Sequence, residues 1–221
     1  MQRKIIVTND GSVTIHIEEW DESYHSKHGA IQEAYHVFIK NGLDNFRDND
    51  SVSILEIGFG TGLNAFITFL EAKKRNLSIN YVGVEAYPIS SEEVNQLNYV
   101  EELKASEFQL TFNLMHKADW DKEFEVNNTF KLTKRKQFFK DIRDKEKYNL
   151  IYFDAFGFNV QPELWNEEIF KKMFDALLPN GILVTYACRS SIKRAMLSVG
   201  FQVEKLPGAP GKREMLRAIK N

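Results

Sequence analysis

An α/β fold organised around a doubly wound, mostly parallel sheet is predicted by three features of this 221-residue chain. From Val52 onward, apolar runs of strand length alternate with amphipathic helical stretches. The first run opens directly into a glycine-rich turn. The last two runs, Gln202 to Leu206 and Glu214 to Ile219, are joined by Pro207-Gly208-Ala209-Pro210-Gly211. Strands covered by helices on both faces read as continuous apolar runs, so the first feature selects a parallel sheet. Pro and Gly between the last two runs favour a tight reversal, which pairs them antiparallel at the sheet edge. With 43% hydrophobic residues the chain can bury one substantial core, and it is short for two full domains.

The first fifty residues, 1–50, read as an appendage packed on that core. Lys4 to Thr8 and Val13 to Ile17 flank Asn9-Asp10-Gly11, residues that tolerate the positive φ of a hairpin turn, and Gln32 to Ile39 follows as a short helix. The main domain, 51–221, begins with a buried strand from Val52 to Ile57 and a helix from Leu63 to Lys74. A strand from Tyr81 to Glu85 and a helix from Ser91 to Leu103 come next, and Phe108 to Met115 supplies a further candidate strand. Residues 118–147 are charged and poorly periodic and read as an inserted excursion. Beyond them lie a strand from Leu150 to Asp154, a helix from Glu167 to Leu178, a strand from Ile182 to Tyr186 and a helix from Ser190 to Val199.

Charge is unevenly spread. The net charge is −2, yet residues 131–147 carry a balance of +5 and residues 189–220 one of +6, leaving −13 on the remainder. Such a basic C-terminal portion can present a patch to phosphates, or simply a solvated face. The one cysteine, Cys188, excludes an intrachain disulfide framework and a thiolate cluster, and fits a reducing compartment. The N-terminus has no apolar stretch of signal-peptide character, and nowhere is there a run of about 18 apolar residues, so a soluble cytoplasmic protein is expected. His25 and His28 have no evident third ligand, and no metal centre is expected.

Gly58, Gly60 and Gly62 follow a buried strand and open a helix, letting the backbone turn tightly and approach a ligand where a Cβ would not fit. Their spacing in Glu56-Ile57-Gly58-Phe59-Gly60-Thr61-Gly62-Leu63-Asn64 is G-x-G-x-G, not the G-x-G-x-x-G of dinucleotide binders. S-adenosylmethionine has a cationic sulfonium and an amino acid tail where a dinucleotide has a pyrophosphate. Glu56 can face that cationic end. Glu85, at the end of the second strand, can accept hydrogen bonds from both ribose hydroxyls. Together with the edge hairpin, these residues predict the Rossmann-like fold of the class I S-adenosylmethionine methyltransferases. A nicotinamide enzyme and a purely structural turn remain alternatives. Asp119 is a candidate for the adenine amine, with a solvated loop acid as the alternative.

Asp154-Ala155-Phe156 ends a strand and places a carboxylate at the C-terminal edge of the sheet beside the glycine loop, where ligands of open α/β sheets bind. An alkyl amine is largely protonated at neutral pH, and a neighbouring carboxylate can orient it and take up its proton. An Asp capping the next turn is the competing reading. The Pro-Pro of the adenine and cytosine amino-methyltransferases is missing after Asp154, which argues against an exocyclic base amine as acceptor.

Several segments together resemble the methyltransferase domain of the MnmC type. They are Asn9-Asp10-Gly11-Ser12, Tyr24-His25-Ser26, the glycine loop from Glu56 to Asn64, Asp154-Ala155-Phe156, Gln161-Pro162-Glu163-Leu164-Trp165, Thr185-Tyr186, Lys193-Arg194 and Gly208-Ala209-Pro210-Gly211-Lys212-Arg213-Glu214-Met215. The resemblance implies S-adenosylmethionine-dependent methylation of the amine of 5-aminomethyl-(2-thio)uridine at the tRNA wobble position. It makes Asp154 the residue holding the acceptor amine. Cofactor binding falls to Glu56, Gly58, Gly60, Thr61, Gly62, Asn64 and Glu85. It further implies tRNA as partner, with Lys193, Arg194, Lys212 and Arg213 as phosphate contacts. Pro162 and Trp165 are expected to shape the wall after Asp154, and Tyr24 and Ser26 to close over the cofactor or pack. Gly157-Phe158-Asn159 departs from the Ala-Pro common in this family, so the acceptor pocket should differ in shape. Bifunctional members continue into a flavin-dependent oxidase; methylation alone is expected here. A same-fold transferase acting on a polyamine and a non-catalytic RNA-binding relative are the competing functions.

Overall fold

The computed structural model describes residues 2–221. The chain opens with β1 (Arg3–Val7), β2 (Val13–Ile17) and β3 (Glu22–Ser23), a three-stranded antiparallel sheet whose first two strands form the expected hairpin, Val7 opposite Val13. Helix α1 (Ala30–Ala34) continues into a π-helical stretch over Tyr35–Lys40.

The main sheet follows as β4 (Ser51–Ile57), α2 (Leu63–Arg75), β5 (Ser78–Glu85), α3 (Ser91–Val94), α4 (Tyr99–Glu102), α5 (Gln109–Lys117), β6 (Glu123–Asn127), β7 (Phe130–Lys136) and β8 (Tyr148–Phe153). It ends with α6 (Glu167–Ala176), β9 (Leu177–Thr185), α7 (Ser190–Ser198), β10 (Gln202–Pro207) and β11 (Glu214–Ile219). Eight strands lie in the order β10-β11-β9-β8-β4-β5-β7-β6. β4 pairs in parallel with both β5 and β8, and β10 with β11 is antiparallel at the edge, as the Pro/Gly turn predicts.

The two sheet faces bury separate apolar sets. Val52 and Ile54 of β4 pack with Leu63, Phe66 and Phe69 of α2, Phe112 of α5, and Ala34, Val37 and Phe38 of the N-terminal segment. Leu55 and Ile57 pack with Ile169, Phe170 and Met173 of α6 and Ile192 and Met196 of α7. Alternation along β4 therefore sends Glu56 to the α2 face, and that direction decides its role.

Three sequence expectations differ from the structure. Phe108 to Met115, expected as a strand, lies in a 3-10 turn and α5, because Phe112 and Met115 bury one side of a helix while Leu110 and Leu114 face solvent. Ser91 to Leu103 is two short helices, since Asn98 turns inward to accept the Val13 N–H and donate to the Gly11 carbonyl. Residues 118–147 are not an excursion from the sheet; they contain β6 and β7, and β7 pairs in parallel with β5 along seven residues. Phe130, Leu132 and Lys134 are the buried positions of β7, and the lysine among them disguised the alternation.

Candidate active site

The loop between β4 and α2 is anchored to β5: the N–H groups of Gly58 and Phe59 both donate to the Val84 carbonyl at 3.0 Å. Gly58 has φ +92°, and a Cβ there would lie 2.5 Å from the Asp154 carbonyl oxygen, so the loop and the end of β8 can approach this closely only at glycine. Gly60, at φ +48°, lies under the Tyr24 ring, 3.0 Å from where its own Cβ would be. The Asp154 N–H donates to the Ile57 carbonyl at 2.9 Å, which extends the β4–β8 register one residue into the loop.

A cavity of about 390 Å³ opens at this C-terminal sheet edge, within the range of small-molecule sites. Gly58, Gly60, Thr61, Asn64, Glu85 and Asp154 all line it, so the structure brings most of the predicted site residues together. Asn64, in the first turn of α2, donates through Nδ2 to Glu56 Oε1 and to Asp154 Oδ2, each at 2.9 Å, while its Oδ1 is buried with no hydrogen-bond partner. Burial, and then the negative charge of Glu33, push the Asp154 carboxyl up to about 7; the Asn64 hydrogen bond and the Lys212 charge act the other way. Glu85 accepts from the Gly60 N–H at 3.0 Å and the Tyr87 N–H at 2.9 Å, tying the end of β5 to the loop.

Glu56 is placed differently from its predicted role. It is 1% exposed, stands behind Asn64 and does not line the cavity. Burial raises its carboxyl well above the usual range, which disfavours the charged form that a counter-charge for a cation requires. Gly62 also lies outside the lining; a Cβ on it would meet His116 at 3.1 Å. The Thr61 hydroxyl is engaged by Tyr99 at 3.1 Å and His25 at 3.4 Å, and His25, lowered to about 4 by burial, is a neutral structural histidine. Asp119 is exposed, paired with Lys122 at 2.9 Å and away from the cavity.

The N-terminal sheet forms one wall of the cavity. Tyr24 and Trp20 meet Phe156 edge-on at 4.9 and 5.5 Å between ring centres, and Arg3 links β1 to Glu93 at 3.2 Å and to the Tyr87 carbonyl at 2.9 Å. The Ser26 N–H donates to Glu33, so Ser26 supports the wall from outside. Trp165 is buried and donates to the Phe156 carbonyl at 2.8 Å, fixing the turn after Asp154. The sequence reading missed Arg3, Trp20, Tyr87, Phe138, Phe139 and Lys140, which all line the cavity. The last three follow β7, and recognising that strand would have placed them at the same sheet edge.

The predicted phosphate contacts separate. Lys212 pairs with the buried Glu33 at 2.6 Å, and its Nζ sits 3.8 Å from the centre of the Tyr186 ring, so its charge is spent inside the protein. Arg213 is exposed, and no hydrogen bond or ion pair engages its side chain among the described residues. Lys193 and Arg194 line neither this cavity nor the one beside it. That second cavity, about 400 Å³, shares the wall residue Tyr186, whose hydroxyl donates to the Ala155 carbonyl at 2.8 Å. No group of three or more His, Cys, Asp or Glu able to hold a metal occurs among the described residues, and no helix there is long and apolar enough to cross a membrane.

Comparison with known proteins gives the arrangement its relatives. The chain is 27% identical over 215 residues to the tRNA 5-methylaminomethyl-2-thiouridine biosynthesis bifunctional protein MnmC of Leptospira borgpetersenii, covering 90% of this chain and 32% of that protein. To the protein of the same name from Azoarcus sp. it is 28% identical, covering 90% and 33%. The chain thus spans about a third of the length of the curated relatives it matches. Among solved structures, MnmC2 from Aquifex aeolicus superposes with a TM-score of 0.77 at 23% identity, covering 98% of this chain and 70% of that one. Spermidine synthase from Thermotoga maritima superposes with a TM-score of 0.61 at 13% identity, covering 99% and 69%; at such identities the likeness is one of fold. Residues 97–221 match the family described as S-adenosyl-L-methionine-dependent methyltransferase, more than half of the chain, and the chain belongs to that family.

Proposed function

We propose that the chain methylates the amine of 5-aminomethyl-(2-thio)uridine at the wobble position of tRNA, with S-adenosylmethionine as donor. The observation that carries the reading is the Asp154 carboxylate, held by Asn64 in the same cavity as the glycine loop. The nature of the acceptor comes from kinship to the MnmC proteins. An enzyme acting on tRNA is expected in the cytoplasm.

The residues present suit the donor. Gly58 and Gly60 leave a cradle that a Cβ would fill, Asn64 Oδ1 is a buried acceptor without a partner, and Glu85 and Asp154 put two carboxylates on the wall facing a cationic ligand. Gly58, Gly60, Thr61, Asn64 and Glu85 would hold the cofactor, with Glu56 and Gly62 shaping the loop from behind. When bound, S-adenosylmethionine supplies an electrophilic methyl group on a cationic sulfur. Asp154 accepts the proton from the acceptor ammonium, exposing the nitrogen lone pair, and keeps the amine oriented. A carboxyl near 7 suits that task, because the base is then part ionised and its proton affinity is matched to neutral pH. Trp20, Tyr24 and Phe156 exclude water from the reacting groups. Arg213, unpaired and exposed, is the cation of the C-terminal hairpin free to meet an RNA phosphate.

Incubation with labelled S-adenosylmethionine and tRNA lacking the final wobble methyl, followed by nucleoside analysis, tests the reading. A labelled 5-methylaminomethyl nucleoside is the expected product; label transferred to a polyamine and absent from tRNA would overturn it.

A further inference from the structure

The second cavity lies on the far side of Tyr186 from the glycine loop and next to the turn that follows Asp154. Its wall contains Phe158, Asn159, Arg189 and Arg213. Arg189 is exposed yet held in place from two sides: Nη1 donates to Asn159 Oδ1 at 3.0 Å, and the guanidinium carbon lies 4.7 Å from the centre of the Phe158 ring. An exposed arginine usually keeps its rotamer freedom, and fixing it costs entropy that two surface contacts scarcely offset. What the arrangement provides is a planar cation and an aromatic ring held together in the cavity wall, a surface on which an unstacked nucleobase packs.

The charges around it favour an anion. Glu214 is compensated by Lys205 at 2.9 Å and Lys212 by Glu33, while Arg189 and Arg213 have no ion-pair partner among the described residues and share the wall with one acid that has none either, Glu22.

We propose that this cavity is a nucleotide subsite. It takes the RNA residue adjacent to the acceptor, its base stacked on the Arg189–Phe158 platform and its phosphate met by Arg213. Asp154 then receives the acceptor base on one side of Tyr186 while its chain neighbour is gripped on the other, which splays the two bases apart. The proposal rests on an RNA acceptor, as in the function proposed above.

The test compares wild type, Arg189→Ala, Phe158→Ala and, as a charge control on the far end of α2, Lys74→Ala. Methyl transfer to an anticodon stem-loop bearing 5-aminomethyluridine and to the free 5-aminomethyluridine nucleoside would be measured, together with stem-loop binding by fluorescence anisotropy. Both cavity variants should raise the KM and Kd for the stem-loop about tenfold. Their kcat at saturating stem-loop, their S-adenosylmethionine affinity and their kcat/KM for the nucleoside should match wild type, as Lys74→Ala does throughout. Unchanged stem-loop affinity in both variants would overturn the subsite, and so would an equal loss on the nucleoside. If wild type binds the stem-loop but transfers no methyl group, the proposed reaction fails while the binding comparison still decides the subsite.

Discussion

Asn64 Nδ2 stands 2.9 Å from Asp154 Oδ2 and 2.9 Å from Glu56 Oε1, so one amide group bridges a carboxyl near 7 and a carboxyl that burial raises well above its ordinary value. Replacing Asn64 by Leu removes both hydrogen bonds at once and leaves two partly or fully buried acids without a donor. Urea unfolding should show a loss of about 1–3 kcal/mol. Glu56→Gln, which keeps the shape and carries no charge, should stay within about 1 kcal/mol of wild type; a large loss there would show that Glu56 is ionised.

Asp154 binds a proton more tightly in the folded chain than in the unfolded one, where its carboxyl titrates at the ordinary value of 3.8. Its contribution to stability is therefore complete below that value and is lost as pH rises toward about 7. Asp154→Asn should melt higher than wild type at pH 8, on the order of 2–4 °C for each kcal/mol relieved, and equal it near pH 4. The same variant should retain S-adenosylmethionine binding and lose methyl transfer by at least about 100-fold.

For the wild type, kcat/KM should climb with pH between about 6 and 8, because the carboxylate form of Asp154 is the proton acceptor. A flat profile over that range would remove Asp154 from proton transfer.

Gly58→Ala places a methyl group 2.5 Å from the Asp154 carbonyl oxygen at φ +92°, where the obstructing atom is backbone and cannot swing away. Thermal or denaturant unfolding should register a loss of roughly 2–4 kcal/mol. Calorimetric titration should find cofactor affinity reduced, since the loop and Asp154 must move apart.

Lys212→Met and Arg213→Met should behave oppositely although the two are neighbours in sequence. The first strands Glu33, whose side chain is 9% exposed, and should cost about 1–3 kcal/mol in stability, less than a fully buried pair because Lys212 itself is a third exposed. The second should leave unfolding unchanged and weaken RNA binding in a salt-dependent way. A stable Lys212→Met protein with the same RNA defect would restore Lys212 to the phosphate surface.

By itself the sequence determined six of the eight strands of the main sheet, the glycine loop and the position of Asp154. These depend on short-range patterns: apolar runs at strand length, glycines at fixed spacing, and an acid at the last residue of a run. It also determined the edge hairpin, because Pro and Gly between two strands restrict the turn. Tertiary structure alone decided which charges act. The alternation of β4 turns Glu56 toward α2, where burial disfavours its charged form. Chain ends 179 positions apart bring Lys212 onto Glu33 and so withdraw it from the surface. Strand β7 was hidden because one of its inward positions is Lys134, tolerable only because its ammonium reaches the His116 carbonyl at 2.5 Å and lies 4.8 Å from the Trp120 ring centre. With β7 went Phe138, Phe139 and Lys140 of the cavity wall. Local patterns are set by backbone geometry and are legible residue by residue. Charge, burial and pairing depend on what folding carries to a side chain from elsewhere in the chain.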